Sequence, residues 1–117
     1  MSFGTPDPYY QPEHFGLTKI EEIDDPGSCY SFEMFVLWRH QDGRLFYAID
    51  SGCSCPSPFE GYTSLDDLTE LTDGTWGMFA DSLVAWCRYN DEGAFADQTK
   101  LARHEMYQAA VKALAAP

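Results

Sequence analysis

The chain has 117 residues, 44% of them apolar and 15% aromatic, which is enough for one hydrophobic core and too short for two. Nineteen acidic residues against seven basic ones give a formal net charge of -12, which disfavours direct binding to a phosphate backbone. No stretch reaches the roughly 20 apolar residues of a membrane span, and the N-terminus lacks the features of a signal peptide. We therefore expect a cytoplasmic protein that contacts neither membrane nor nucleic acid.

The N-terminal residues 1–16 are predicted to form an extended arm, and residues 17–117 a single domain. Several prolines in the arm disfavour regular structure, while its aromatic residues provide anchors on the domain. The segment from Leu17 to Ile23 alternates only partly between apolar and polar residues and predicts a weak first strand. The turn-forming residues 24–27, Asp-Asp-Pro-Gly, end it.

A β-hairpin over residues 30–50 is the strongest structural signal. Asp42-Gly43 is a favoured two-residue turn and separates two apolar runs. With this pair at the centre of the turn, Trp38 is expected to face Tyr47 across the hairpin. One side of the hairpin then forms a core face that consists of Tyr30, Phe32, Met34, Val36, Trp38, Leu45, Tyr47 and Ile49.

The opposite side of this hairpin is mixed in character, because Phe35, Leu37 and Phe46 stand there among charged residues. A sheet face of this kind needs a cover, since exposed apolar patches of such size are uncommon in monomers. We favour the N-terminal arm or a helix as the cover. A partner protein that binds these three side chains is the alternative.

Helices are predicted in the C-terminal half. Ser64-Leu65-Asp66-Asp67 fits a helix start with Ser64 as N-cap, and the helix would run to about Leu71. Apolar stripes of 3.6-residue period predict two more helices, over residues 75–89 and from about residue 95 or 97 to residue 115. Strands followed by helices indicate an α+β domain, in which an antiparallel sheet of about three strands packs against two or three C-terminal helices.

The connection between hairpin and helices contains the unusual segment Ser-Gly-Cys-Ser-Cys-Pro-Ser-Pro-Phe-Glu-Gly, residues 51–61. Pro56 and Pro58 fix their own backbone angles and restrict the residue before each, so we expect a stiff loop. A stiff loop presents Phe59 and Glu60 to a partner at little entropic cost. The same loop equally serves to pin Phe59 into the core, and both alternatives stay open at this point.

Cys53 and Cys55 in this loop are close enough along the chain to share a metal ion, with Cys29 as a further candidate ligand. Structural zinc takes four ligands, usually with two to four residues between paired cysteines, so Cys-x-Cys supplies half of an atypical site. Redox chemistry is less favoured, because a reactive thiol needs a nearby cation and the local sequence is acidic. We expect free thiols and no cofactor, with a small zinc-binding domain as the alternative.

Catalysis is not indicated by any motif in the sequence, which lacks His-Glu-x-x-His, a Gly-x-Ser-x-Gly elbow and a phosphate-binding loop. We therefore expect a protein that is not an enzyme and has no catalytic residues. The acidic charge is explained most simply by solubility. An acidic mimic of nucleic acid, of the anti-restriction type, is the alternative explanation.

The hairpin, loop and helix start together resemble a family of small, mostly uncharacterised proteins from bacteriophages of actinobacteria. The resemblance lies in Trp38, the Asp42-Gly43 turn, the motif Asp-Ser-Gly-Cys-Ser-Cys-Pro-x-Pro-Phe-Glu at residues 50–60, and Thr-Ser-Leu-Asp-Asp-Leu at residues 63–68. It implies action in the cytoplasm of an infected bacterium, where small acidic phage products often bind host proteins. It implies no catalytic residue.

Taken together, these observations predict a small acidic accessory protein, phage-encoded and non-enzymatic, that binds a host or phage protein. Either a monomer or a homodimer is compatible with the sequence. The candidate binding residues are Pro56, Pro58, Phe59 and Glu60 of the loop, with Phe35, Leu37 and Phe46 of the hairpin.

Overall fold

The protein has an α+β fold, seen in a computed structural model that describes residues 8–24, 31–53, 62, 64–90 and 96–115. Among the described residues, four strands form one antiparallel sheet in the order β1-β2-β3-β4, where the sequence predicts about three. In the described part of the chain, two helices follow the strands. The elements are β1 Leu17–Asp24, β2 Ser31–His40, β3 Leu45–Cys53, β4 Thr69–Leu71, α1 Trp76–Asn90 and α2 Ala96–Ala115, with short 3-10 helices at Pro12–Phe15 and Leu65–Asp67.

The two helices form where the apolar periodicity predicts them, and each turns its apolar stripe toward the sheet. Phe79 and Leu83 of α1 are buried, as are Met106 and Ala110 of α2. All four belong to one core cluster together with side chains of β2 and β3. The predicted packing of helices against an antiparallel sheet is therefore confirmed.

The predicted short helix after Ser64 ends after a single turn. Its start is correct: the Ser64 Oγ accepts a hydrogen bond from the Asp66 N–H at 3.2 Å, and the Asp67 carboxylate accepts one from the Ser64 N–H at 3.1 Å. Thr69 and Leu71 then pair with β3 as the fourth strand. The free edge of β3 offers a row of backbone donors and acceptors, and pairing with it replaces further helical turns.

The turn between β2 and β3 differs from the prediction by one residue. The Gly43 N–H donates to the His40 carbonyl at 2.9 Å, and the His40 N–H donates to the Arg44 carbonyl at 2.7 Å. The loop therefore has three residues and not two, with Gly43 in a left-handed conformation at φ 97°. As a result Trp38 pairs with Phe46, and not with Tyr47 as predicted.

This one-residue shift exchanges the two faces of β3, because successive side chains of a strand point to opposite sides. Phe35 and Leu37 lie on the helix side of the sheet, in the core cluster that also contains Leu45 and Tyr47. Phe46 lies on the opposite side. There it joins a second core cluster with Met34, Val36, Trp38 and Ala48. Both faces of the sheet are therefore buried, and the predicted division into a core face and a mixed face is wrong.

The second cluster is covered by the N-terminal segment and by residues that precede β4. Leu17 and Leu68 are buried in it, with Tyr9 and Phe15 packed against its edge. The expected cover by the protein's own chain is thus confirmed for the described residues. The segment is not simply extended, since Pro12–Phe15 forms a 3-10 helix, in which proline at the start costs no hydrogen bond.

Candidate functional site

The predicted hairpin binding residues are buried within the protein itself. Phe35 and Leu37 are 0% exposed and Phe46 is 4% exposed. Phe35 stacks on the Tyr47 ring at 5.7 Å and meets the Phe79 ring edge-on at 5.5 Å. The suggestion that a partner covers these three side chains is therefore wrong, because the helices and the N-terminal segment already cover them.

The predicted loop site lies outside the described residues: Pro56, Pro58, Phe59 and Glu60 stay a prediction. The same holds for Cys29 and Cys55 as zinc ligands. Cys53 ends β3, where its backbone pairs with Ser31. Within the part of the chain that the structure describes, no three His, Cys, Asp or Glu side chains gather as a metal site would require.

An apolar groove runs along the junction of α1 and α2 on the outside of the molecule. It consists of two adjoining depressions, of about 470 Å³ and about 220 Å³, that share Tyr107. We call it the helical groove and define it by Trp76, Ala80, Leu83 and Val84 of α1 with Tyr107, Val111 and Leu114 of α2. Two helical rows therefore form its walls, since residues four apart lie on one face.

Several apolar side chains of the groove are partly open to solvent. Tyr107 and Val111 are each 41% exposed, and Val84 is 40% exposed. The Trp76 ring meets the Tyr107 ring edge-on at 5.4 Å and lies 5.3 Å from the Phe79 ring, which is fully buried. The aromatic wall of the groove is thereby fixed on the core and held in one orientation.

The position of Trp76 at the first turn of α1 depends on the preceding threonine turn. The Thr72 N–H donates to the Thr75 Oγ1 at 2.8 Å, and the Thr75 hydroxyl donates to the Glu70 carbonyl at 2.7 Å. The Thr75 carbonyl then accepts the helical hydrogen bond from the Phe79 N–H at 3.1 Å. These bonds tie the start of α1 to the end of β4.

The two ends of the helical groove carry opposite charges. Asp73 lines the end near the start of α1, whereas Arg103 and His104 of α2 line the other end. Between these ends the lining is apolar.

The sequence analysis predicted both helices from their apolar stripes and did not identify a groove between them. The signal that identifies the groove was present: Tyr107 and Val111 are apolar, four residues apart, and lie outside the main apolar arc of α2. A second apolar row beside the first widens the stripe beyond what the sheet alone covers. Only the observed packing shows that these additional apolar residues form a groove with α1.

The chain matches a known family model over most of its length. The family model described as "Domain of unknown function (DUF7574)" matches residues 7–113. The chain belongs to this family. No curated protein and no solved structure matches the chain.

The family match spans all four strands, α1, and α2 up to residue 113, and so includes every residue of the helical groove except Leu114. Neither this match nor the residues that the structure describes point to catalytic activity. Among the described residues, no helix combines the length and the apolar character required to cross a bilayer.

Proposed function

We propose that this chain is a small accessory protein that binds another protein through the helical groove and catalyses no reaction. The observation that supports this most strongly is the row of half-exposed apolar side chains between α1 and α2, on a protein whose sheet is covered on both faces. Contiguous exposed apolar surface on a soluble domain is typical of interaction sites. Two of the groove residues, Trp76 and Tyr107, are of types that are enriched among the residues that contribute most to binding energy at protein interfaces.

The partner segment that best fits the groove is an amphipathic helix. The wall from Trp76 to Val84 is roughly 12 Å long at 1.5 Å per residue, which corresponds to about two helical turns. A helix in such a groove contacts it with side chains spaced three and four residues apart. A rigid apolar wall of aromatic and β-branched residues suits these contacts, because little conformational entropy is lost on binding.

The charge of the chain favours a basic partner over a second copy of itself. At a net charge of -12, two copies repel each other, whereas a segment rich in Lys and Arg is attracted and steered to the surface. We therefore assign the groove to a basic amphipathic helix of another protein. The resemblance to actinobacteriophage proteins supports a host or phage protein of the infected cell as the source of this helix.

Photo-crosslinking in the infected host tests this proposal. A photoreactive amino acid at Val111 is expected to give one predominant complex, in which the crosslinked peptide is apolar on one helical face and rich in Lys and Arg on the other. The matched control places the same amino acid at Met78, which is 59% exposed on the other flank of α1 and does not line the groove. Identical products from both positions, or an acidic peptide at Val111, contradict the proposal.

A further inference from the structure

A second cleft lies on the other flank of α2, between this helix and strands β1 and β2 of the sheet. Its volume is about 480 Å³, which is within the range of small-molecule sites. Ile20 of β1 with Ala109 and Ala113 of α2 form its apolar part, and all three pack on the core cluster. The cleft exists because α2 presents small residues to β1, which leaves room where larger side chains would fill the gap.

The polar lining of this cleft is cationic. Arg39 of β2 and Lys112 of α2 line it together with the Thr18 hydroxyl, and none of its described lining residues is acidic. This composition is unexpected for a chain with nineteen acidic and seven basic residues. Two other basic side chains of the described structure have acidic partners: Lys19 pairs with Glu22, and Arg44 with Asp42 at 2.7 Å.

Arg39 and Lys112 form no ion pair with any residue that the structure describes. The Arg39 Nη2 donates a hydrogen bond to the Ala113 carbonyl at 3.3 Å, which holds the half-buried guanidinium beside the last turn of α2. A guanidinium carries five N–H donors, so this bond leaves others for an acceptor in the cleft. Arg39 is thus positioned before any ligand binds.

We infer that this cleft binds a small amphipathic carboxylate. The carboxylate accepts hydrogen bonds from the Arg39 guanidinium, because the planar fork of arginine matches two carboxylate oxygens. It also forms an ion pair with Lys112. The hydrocarbon part of the ligand packs on Ile20 and Ala109. This site is separate from the helical groove, which lies on the opposite flank of α2, and it does not depend on the proposed function.

A titration of the full-length, nitrogen-15-labelled protein with octanoate, followed by NMR at concentrations below micelle formation, tests this inference. Saturable shifts are expected at the backbone amides of Ile20, Ala109 and Lys112. Two probes share the hydrocarbon chain: 1-octanol should bind more weakly, and octylammonium should not bind the cleft. The octylammonium result is decisive, since the net charge of -12 by itself would attract the cation and repel octanoate.

Charge-matched variants complete the test. Lys112→Gln is expected to weaken octanoate binding by about two- to fivefold, the range for one solvent-exposed ion pair. Ala109→Leu fills the cleft and should abolish saturable shifts. Arg103→Gln removes the same charge from the other flank of α2 and should leave the affinity unchanged. Equal weakening by Lys112→Gln and Arg103→Gln, comparable binding of octylammonium, or shifts confined to the helical groove would overturn the inference.

Discussion

At the scale of single residues, Asp42 illustrates how one side chain fixes the β2–β3 turn. Its carboxylate accepts hydrogen bonds from the Arg44 N–H at 3.0 Å and from the Arg44 Nε at 2.7 Å. These bonds lower the pKa of Asp42 to about 2 from 3.8, with the backbone bond from Arg44 as the largest cause, against a smaller opposing effect of desolvation. A carboxyl group whose pKa falls on folding stabilises the fold above its unfolded pKa, and this contribution is lost as the pH falls toward the folded value.

We predict that Asp42→Asn lowers the free energy of unfolding at pH 7, and that the difference from wild type shrinks as the pH falls from about 4 to about 2. The effect is expected to be small, because the side chain is exposed to solvent. Urea unfolding of both proteins at several pH values measures it. A difference that stays constant over this pH range would show that the charge of Asp42 plays no part.

Phe79 is buried, in contrast to the exposed Asp42: it is 0% exposed and contacts several aromatic rings. Its ring lies 5.0 Å from Tyr47, 5.5 Å from Phe35 and 5.3 Å from Trp76. Phe79→Ala should lower the free energy of unfolding by about 3–5 kcal/mol, through lost burial and the cavity left behind. Met78→Ala, at the exposed neighbouring position, should change it by about 0.5 kcal/mol or less. Similar losses in both variants would contradict the core assignment.

At the scale of elements, the position of the β2–β3 hairpin followed from the sequence, but its register did not. Asp-Gly fits a two-residue turn and also the end of a three-residue loop, and these differ by one residue in register. The alternation of polar and apolar residues usually decides between the two registers, because it assigns one face of the hairpin to solvent and the other to the core. Here both faces are buried, so Trp38 and its neighbours satisfy either register until the whole sheet is assembled.

The same limit explains the missed fourth strand. The capping residues Ser64 and Asp67 are a local signal and were correctly interpreted, whereas Thr69–Leu71 becomes a strand only because the edge of β3 is available beside it. Three residues carry too little periodicity to indicate a strand. Pairing with β3 therefore determines the structure of Thr69–Leu71, which the local sequence leaves undetermined.

Two glycines test the conformation of these elements directly. Gly43 has φ 97° with open space where a Cβ would lie, so Gly43→Ala should cost about 1–2 kcal/mol through backbone strain alone. Gly77 lies exposed in α1, also with open space, and Gly77→Ala should stabilise the protein by up to about 1 kcal/mol through helix propensity. Thermal or urea unfolding of both variants provides the measurement. Stabilisation by Gly43→Ala would contradict the three-residue loop.

At the scale of the whole molecule, the candidate site combines features that a sequence reveals with one that it does not. The amphipathic helices and the excess of acidic residues are apparent in the composition and periodicity. The helical groove is not, because it depends on how α1 and α2 pack side by side and which apolar residues, such as Tyr107 and Val111, remain half exposed. Phe35 and Leu37 were correctly expected to need a cover from the protein's own chain, but the sequence did not show that α1 and α2 provide it.

The central claim is that the helical groove binds a basic amphipathic helix, and calorimetric titration with the helix identified by crosslinking tests it most directly. Val111→Asp should weaken binding by about tenfold or more, because it places a charge in the apolar interface. Met78→Asp adds the same charge outside the groove and should leave the dissociation constant within about twofold of wild type. Equal affinity of wild type and Val111→Asp, or equal losses in both variants, would contradict the claim.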